Sequence, residues 1–236
     1  MHNGIGAFIT LTYNEDACPK DGSLVPRDFR LFMKRLRFDL EQKVKYYHCG
    51  EYGDQDGRPH YHACVLGHGF PDRWHWTTRN GIPSYRSPQL EKLWKLGFSE
   101  LSDITAKSAA YVARYIMKKV NGDKAETHYM RVDKETGECW WIHPEYATMS
   151  KGFGRSWFEK YGSDIFPRDE TVFEGRLVQT PKFYDKLLAE IDEELLAHIK
   201  SKRVANAKLR AKDSTPRRLR DRETVKQAQI GRLKRQ

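Results

Sequence analysis

The feature that most constrains the fold is a pair of β-rich segments, residues 44–52 and 60–66, joined by a short loop. The loop sequence GDQDGRP combines Gly, Asp and Pro, which favour tight turns and interrupt regular structure. Two strands joined so closely pair most simply as an antiparallel hairpin. Parallel strands need a longer crossover, usually a helix. The sequence therefore favours an antiparallel sheet over a doubly wound parallel fold.

The segments around this hairpin predict an α+β fold. Residues 7–13 alternate in polarity as a strand does and end in a turn signal, and residues 98–104 form a further predicted strand. Helices are predicted over 26–42, over 105–120 and beyond Pro181, and a second hairpin over 129–142. Within the aromatic stretch 67–97 we predict only a short helix, over 88–95. This order predicts a mostly antiparallel sheet with flanking helices.

Positive charge is concentrated at the C-terminus. The formal net charge is +10, yet residues 200–236 contain 14 Lys and Arg against 3 Asp and Glu, so the preceding residues are close to neutral. Such a segment favours a polyanionic partner, although solubility alone explains many basic tails. We predict a domain over residues 1–180, a basic helical tail over 181–236, and no membrane-spanning segment.

His60 and His62 are separated by one residue of a predicted strand, so both side chains point to the same face of the sheet. The hairpin places Glu51, near the end of the preceding strand, close to them. Two imidazole nitrogens and a carboxylate oxygen can bind a divalent ion and leave positions open for a substrate phosphate. A surface His pair without a metal is the alternative, and for so short a motif it is the commoner case.

The predicted helix 105–120 carries a second candidate group. A helical projection places small and apolar residues on one side: Ala109, Ala113, Ile116 and Val120. Tyr111, Tyr115 and Lys118 lie nearly opposite, with Arg114 and Lys119 nearby. Positive charge beside a phenol favours phosphate binding and stabilises a phenolate. The alternative is that the two tyrosines pack their rings against a neighbouring element.

The two groups together predict a nuclease. A tyrosine has a pKa of about 10, so it is a poor nucleophile at neutral pH unless its target is polarised. A metal held by Glu51, His60 and His62 could polarise a scissile phosphate. Attack by a tyrosine would then yield a phosphotyrosine and a free DNA 3′-OH.

Three segments together resemble the motifs of the HUH replication initiators: the strand FITLTY, the pair His60-Tyr61-His62, and YVARYIMKK. The chain resembles in particular the initiators of microviruses, small single-stranded DNA phages, and their gokushovirus branch. The resemblance extends from Phe8 to the segment MSKGFGRSWFEKYG. It implies a ferredoxin-like antiparallel sheet, a Mg²⁺ or Mn²⁺ ion on His60 and His62 with an upstream acid, and Tyr111 and Tyr115 as two alternating nucleophiles.

The same resemblance implies rolling-circle replication in the cytoplasm of a bacterial host, with nicking of single-stranded origin DNA, a 5′-phosphotyrosine intermediate and rejoining. The sequence has no P-loop for nucleotide binding, so a host helicase is expected to unwind the DNA. Tyr115 and Lys118 also fit the single-tyrosine pattern Y-x-x-K of other members, which leaves open which tyrosine attacks first. A non-catalytic single-stranded nucleic-acid binder and a metal hydrolase using activated water are the competing functions.

Two further segments suggest contacts with DNA. The loop 150–155, with Lys151 and Arg155, could hold a phosphate through backbone N–H groups, although a plain glycine-containing loop is an equal alternative. Trp74, Trp76 and Trp94 could stack on bases, but we predict that they pack in the core.

Overall fold

The computed structural model describes residues 6–53, 56–115 and 119–232, with the Tyr115 side chain also outside the description. The chain forms two compact units, Met1–Phe153 and Gly154–Gln236. The first unit contains these elements: β1 (Gly6–Tyr13), α1 (Pro26–Leu40), β2 (Lys45–Tyr52), β3 (Pro59–Leu66), β4 (Trp74–Arg79), β5 (Ile82–Arg86), α2 (Pro88–Leu93), β6 (Gly97–Asp103), α3 (Ala106–Tyr115), α4 (Lys124–Tyr129), β7 (Met130–Val132), β8 (Cys139–Trp141) and β9 (Tyr146–Met149).

A seven-stranded sheet organises the first unit, in the order β4-β5-β6-β1-β3-β2-β9. Every strand pair in it is antiparallel. The predicted hairpin of β2 and β3 is confirmed, with Glu51 directly opposite His60. The predicted α+β class with an antiparallel sheet is therefore confirmed, whereas the ferredoxin-like arrangement stays a prediction.

One face of the sheet carries the main core. Alternate residues of β1 are fully buried there, including Ile9 and Leu11, as strand periodicity requires. Helices α1 and α2 cover this face through Phe29, Phe32 and Leu90, which belong to the same buried cluster. The opposite face is left for α3 and for the polar residues of β1, β2 and β3.

Helix α3 packs on that opposite face, but with a different side from the predicted one. Tyr111 and Val112 are buried against Cys49 and Cys64 of the sheet, while Ala113 is exposed. The prediction that Tyr111 lies away from the apolar face is wrong. Alanines contribute little apolar area, so a large ring decides which side of the helix is buried.

The aromatic stretch 67–97 contains more structure than predicted. Besides α2 it forms the β4–β5 hairpin, whose two-residue turn has Asn80 and Gly81 both at positive φ. Asn-Gly is the strongest short sequence signal for a tight hairpin turn, so this hairpin was predictable. The strand β9, only four residues long, was also missed, and it extends the sheet next to β2.

The second unit contains α5 (Arg155–Ile165), β10 (Thr171–Phe173), β11 (Arg176–Val178), α6 (Lys182–Ala189), α7 (Glu193–Leu209), a 3-10 turn (Ala211–Ser214) and α8 (Pro216–Gly231). Its core joins Phe158 and Ile165 of α5 to Leu187 of α6 and Ile199 of α7. The predicted boundary at residue 180 therefore falls inside this unit, because apolar contacts tie the segment before it to the helices after it. The side chains of α8 are exposed almost throughout.

Candidate metal centre and nucleophile

Three side chains converge on the face of the sheet that carries α3. Glu51 on β2 is paired with His60 on β3, and His62 follows on the same face of β3. Nε2 of His60 lies 2.8 Å and Nε2 of His62 2.9 Å from Oε1 of Glu51. The three ligand atoms all lie within 4.8 Å of one another. The structure thus brings together all three predicted metal ligands.

The second nitrogen of each histidine is also engaged. Nδ1 of His60 lies 3.0 Å from the backbone oxygen of Arg58, and Nδ1 of His62 lies 3.0 Å from the Thr10 hydroxyl. A carbonyl oxygen only accepts, so His60 must donate through Nδ1 and its neutral ring presents a lone pair at Nε2. That lone pair faces a carboxylate oxygen, and two acceptors this close need a proton or a cation between them. The donor set therefore fits a metal ion, with outer partners that orient each imidazole.

Glu51 is ionised at neutral pH despite being only 2% exposed. Burial alone raises the pKa of its carboxyl, but the hydrogen bonds from His60 and His62 outweigh burial and lower that pKa to about 2. An ionised carboxylate between two imidazoles gives the cluster the negative charge that a divalent cation requires.

Tyr111 lies against this cluster. Its ring centroid is 5.2 Å from that of His62, with the two rings nearly perpendicular, and the guanidinium carbon of Arg114 lies 5.9 Å from the same tyrosine ring centroid. Phe8 on β1 stacks on His62 and also contacts Tyr111 edge-on. One predicted nucleophile is therefore adjacent to a predicted ligand. The Tyr115 side chain and Lys118 lie outside the described residues.

The predicted DNA-binding residues are distributed over both units. Lys119 and Lys151 are exposed in the first unit. Arg155 begins α5 in the second unit, where its guanidinium lies 3.0 Å from a Glu190 carboxylate oxygen. The loop 150–155 thus spans the boundary between the units, and its role in DNA binding stays a prediction.

Sequence reasoning missed Thr10 as a partner of His62. The signal was present, because alternation in β1 turns Thr10 and Thr12 to the face opposite Ile9 and Leu11. Placing that face beside His60 and His62 required the β1–β3 pairing, which sets Thr10 opposite His62.

Comparison with known proteins identifies the relatives of this chain. The family model described as replication-associated protein ORF2 matches residues 6–120, a range that includes Glu51, His60, His62 and Tyr111. Replication-associated protein VP4 of Bdellovibrio phage phiMH2K is 33% identical over 189 residues, which cover 75% of this chain and 56% of that protein. The chain is a homologue of phage replication-associated proteins.

Two further replication-associated proteins support the assignment. Replication-associated protein ORF2 of Spiroplasma virus 4 is 29% identical over 85% of this chain and 64% of its own length. Replication-associated protein ORF4 of Chlamydia phage 1 is 28% identical over 80% of this chain and 47% of its own length. The chain thus spans about half to two thirds of these relatives. The predicted resemblance to a phage replication initiator is confirmed.

No solved structure matches the fold. In the described part of the chain, no helix has both the length and the apolar composition needed to cross a bilayer.

Proposed function

We propose that this protein is a metal-dependent endonuclease that nicks single-stranded phage origin DNA by tyrosine attack and later rejoins the strand. The observation that carries the proposal is the contact of the Tyr111 ring with His62, a member of the Glu51, His60 and His62 cluster. A nucleophile beside a ligand set is the arrangement that phosphoryl transfer to tyrosine requires.

Glu51, His60 and His62 would hold Mg²⁺ or Mn²⁺, which when bound polarises a phosphodiester as a Lewis acid. The hydroxyl oxygen of Tyr111 or Tyr115 attacks phosphorus and loses its proton. The bond from phosphorus to the 3′ oxygen breaks, and that oxygen takes up a proton to become the 3′-OH. The product is a 5′-phosphotyrosine that conserves the phosphodiester and allows the second tyrosine to participate in rejoining.

Arg114 supports this chemistry from the same helix. Its positive charge beside the Tyr111 ring favours the phenolate over the phenol and attracts the DNA phosphate. The binding of single-stranded origin DNA, the action of a host helicase and the location in the cytoplasm of the bacterial host belong to the same proposal, which the phage relatives motivate.

The test uses a random-sequence single-stranded oligonucleotide library labelled at its 3′ end and incubated with the full chain and Mn²⁺. The 3′-labelled fragment is expected to stay attached to the protein through denaturation, and tryptic mass spectrometry should find it on Tyr111 or Tyr115. His60→Ala and His62→Ala should form no adduct while retaining most of the DNA affinity, because phosphate contacts are spread over many Lys and Arg side chains.

The competing functions give different results in this assay. A metal hydrolase that activates water cuts the DNA without an adduct, and a non-catalytic binder does neither. Either result contradicts the proposal.

A further inference from the structure

Two tryptophans on β4 are exposed in a way that is unusual for this residue type. Trp74 and Trp76 are each 49% exposed, whereas Trp94, predicted with them to be in the core, is buried. Their ring centroids lie 5.7 Å apart at 85°, and the guanidinium carbon of Arg86 lies 5.4 Å from the Trp76 ring centroid. We call Trp74, Trp76 and Arg86 the tryptophan patch. The core prediction is correct for Trp94 and wrong for the other two.

Strand register connects the metal centre to the middle of the sheet. His62 on β3 is opposite Thr10 on β1, and Thr10 is opposite Glu100 on β6. In the neighbouring row, Thr12 lies between His60 and Phe98, which is 57% exposed. Because directly paired residues point to the same face, Phe98 lies on the face that carries the metal centre.

The same row continues to the tryptophan patch. Strands β5 and β6 are paired at Tyr85 and Leu101, so the next positions along this antiparallel pair are Arg86 and Glu100. Arg86 is in turn opposite Trp74. Neighbouring strands are about 4.8 Å apart, which places β4 roughly 19 Å across the sheet from β3. The patch and the metal centre thus share one exposed face, with Phe98 between them.

Positive charge accompanies these rings. Arg86 pairs with Glu91 at 2.7 Å, and Arg79, at the far end of β4, lies 3.8 Å from Glu100. The Arg79 side chain is exposed, and ion pairs at such sites contribute little to stability. Both guanidinium groups can therefore exchange a carboxylate for a phosphate, which they bind with the same planar geometry.

We infer that the tryptophan patch and Phe98 form a stacking platform that binds the bases of single-stranded DNA next to the phosphate held at the metal centre. Exposed aromatic rings with adjacent arginines bind single strands because every base offers a π-face. Duplex DNA keeps its bases stacked inside and cannot use such rings. The inference rests on the proposed function, and it adds the surface that holds the strand.

The first test measures binding without cleavage. Anisotropy of a fluorescein-labelled oligothymidylate in EDTA gives the Kd of the full chain and of the Trp74→Ala/Trp76→Ala double variant. Stacking on one aromatic ring changes affinity by roughly 5- to 150-fold, so the double variant should bind at least about fivefold more weakly. Trp141→Ala, on β8 outside the sheet and 55% exposed, is the matched control and should bind as the wild type does.

A backbone of the same length without bases separates stacking from charge. The wild type should bind oligothymidylate more tightly than the abasic strand, and the double variant should lose that difference. Trp74→Phe/Trp76→Phe keeps an aromatic face and should recover most of the affinity. An unchanged Kd in the double variant, or an equal loss on both strands, overturns the inference, as does an altered oligomeric state with unchanged DNA binding, which would make a second copy of the chain the occupant.

The second test needs no variant and so does not depend on how the substitutions fold. A single strand containing 5-bromodeoxyuridine is photocrosslinked to the wild-type protein, and the attached peptides are identified by mass spectrometry. Crosslinks are expected on peptides containing Trp74, Trp76 or Phe98, and crosslinks confined to other peptides contradict the platform. Both tests run without metal. Failure of the platform therefore leaves adduct formation intact, and failure of adduct formation leaves the binding results standing.

Discussion

The chemistry of single residues in the metal centre depends on which nitrogen of each histidine carries a proton. The Arg58 carbonyl determines this for His60, since it can only accept. For His62 the corresponding partner is the Thr10 hydroxyl, which keeps Nε2 directed at Glu51 when Nδ1 donates to it. Thr10 is thus a positioning residue, acting on the metal through His62.

Replacing Thr10 with Val tests this role, because Val keeps the shape and removes the hydroxyl. Loss of an outer hydrogen-bond partner typically lowers metal affinity by roughly 10- to 100-fold. Titration calorimetry with Mn²⁺ should therefore show a higher Kd for Thr10→Val. Thr12→Val, two residues along the same face of β1, is the control and should bind Mn²⁺ normally. A normal Kd for Thr10→Val would mean that the sheet alone orients His62.

The tyrosine pair is tested by removing each hydroxyl and keeping the ring. Phe preserves the packing of Tyr111 on Phe8 and His62, so thermal stability should stay close to that of the wild type. Tyr111→Phe and Tyr115→Phe should each retain some adduct formation but lose efficient cleavage and rejoining, and the double variant should form no adduct. If one single variant is inert and the other completes the full cycle, the mechanism uses one tyrosine.

At the level of elements, the β1–β6 pairing depends on a glycine. Gly97 adopts φ 149°, and a Cβ there would lie 2.2 Å from the Asn14 nitrogen and 2.4 Å from the Thr12 oxygen. Backbone atoms cannot move aside as a flexible side chain can, so the close approach of β6 to the end of β1 requires the absence of a side chain.

Gly97→Ala is therefore expected to lower the free energy of unfolding by about 3 kcal/mol, from backbone strain and overpacking together. The control is Gly81→Ala in the β4–β5 turn, where φ is also positive but no atom lies within 4 Å of the added Cβ. That variant should lose only about 1 kcal/mol. Urea denaturation followed by circular dichroism measures both, and equal losses would assign the whole effect to φ.

The elements also show how far the sequence could predict this structure. The β2–β3 hairpin and its metal ligands followed from strand alternation and one short loop, both local properties. The buried side of α3 did not, because Ala113 and Tyr111 exchange roles once Cys49 and Cys64 provide a surface for the ring. Trp74 and Trp76 were assigned to the core by residue type, and only the strand order reveals that they lie on an uncovered face.

At the level of the whole molecule, the first unit contains a buried histidine that couples stability to pH. His48 stacks on Phe29 with ring centroids 3.6 Å apart, and Thr148 and Tyr146 contact its two nitrogens. Burial lowers the pKa of His48 to about 3, against a smaller opposing contribution from Thr148. The unfolded chain therefore takes up a proton near the ordinary pKa of His while the folded chain does not, and stability falls as pH decreases from about 6.5 towards 3.

Two pKa units of this range correspond to about 3 kcal/mol, so unfolding at pH 4.5 should be easier than at pH 7.5 by roughly that amount. His48→Gln removes the titrating group and should reduce the difference between the two pH values. His75→Gln, at an exposed histidine, should retain the wild-type difference. Urea denaturation at both pH values measures this, and identical differences for His48→Gln and the wild type would assign the acid response to other groups.

The basic C-terminus requires a different truncation from the one that the sequence suggests. A cut at Lys200 would divide α7, remove Arg203, which pairs with Asp169 and Asp185, and expose the core around Ile199. A cut before Thr215 removes α8, which has no buried residues. The removed residues 215–236 contain 8 Lys and Arg and 2 Asp and Glu.

This truncation should weaken single-stranded DNA binding and flatten its dependence on salt, by about 0.7 in the log–log slope for each lost phosphate contact. Adduct formation at saturating protein should persist, because the metal centre lies in the first unit. A full-length variant with Arg217, Arg220 and Arg222 changed to Gln keeps the helix length and should reproduce part of the change in slope. Anisotropy at several salt concentrations measures the slope. A truncated protein with the wild-type slope would show that α8 does not contact DNA, and the excess charge of the chain would then serve another partner.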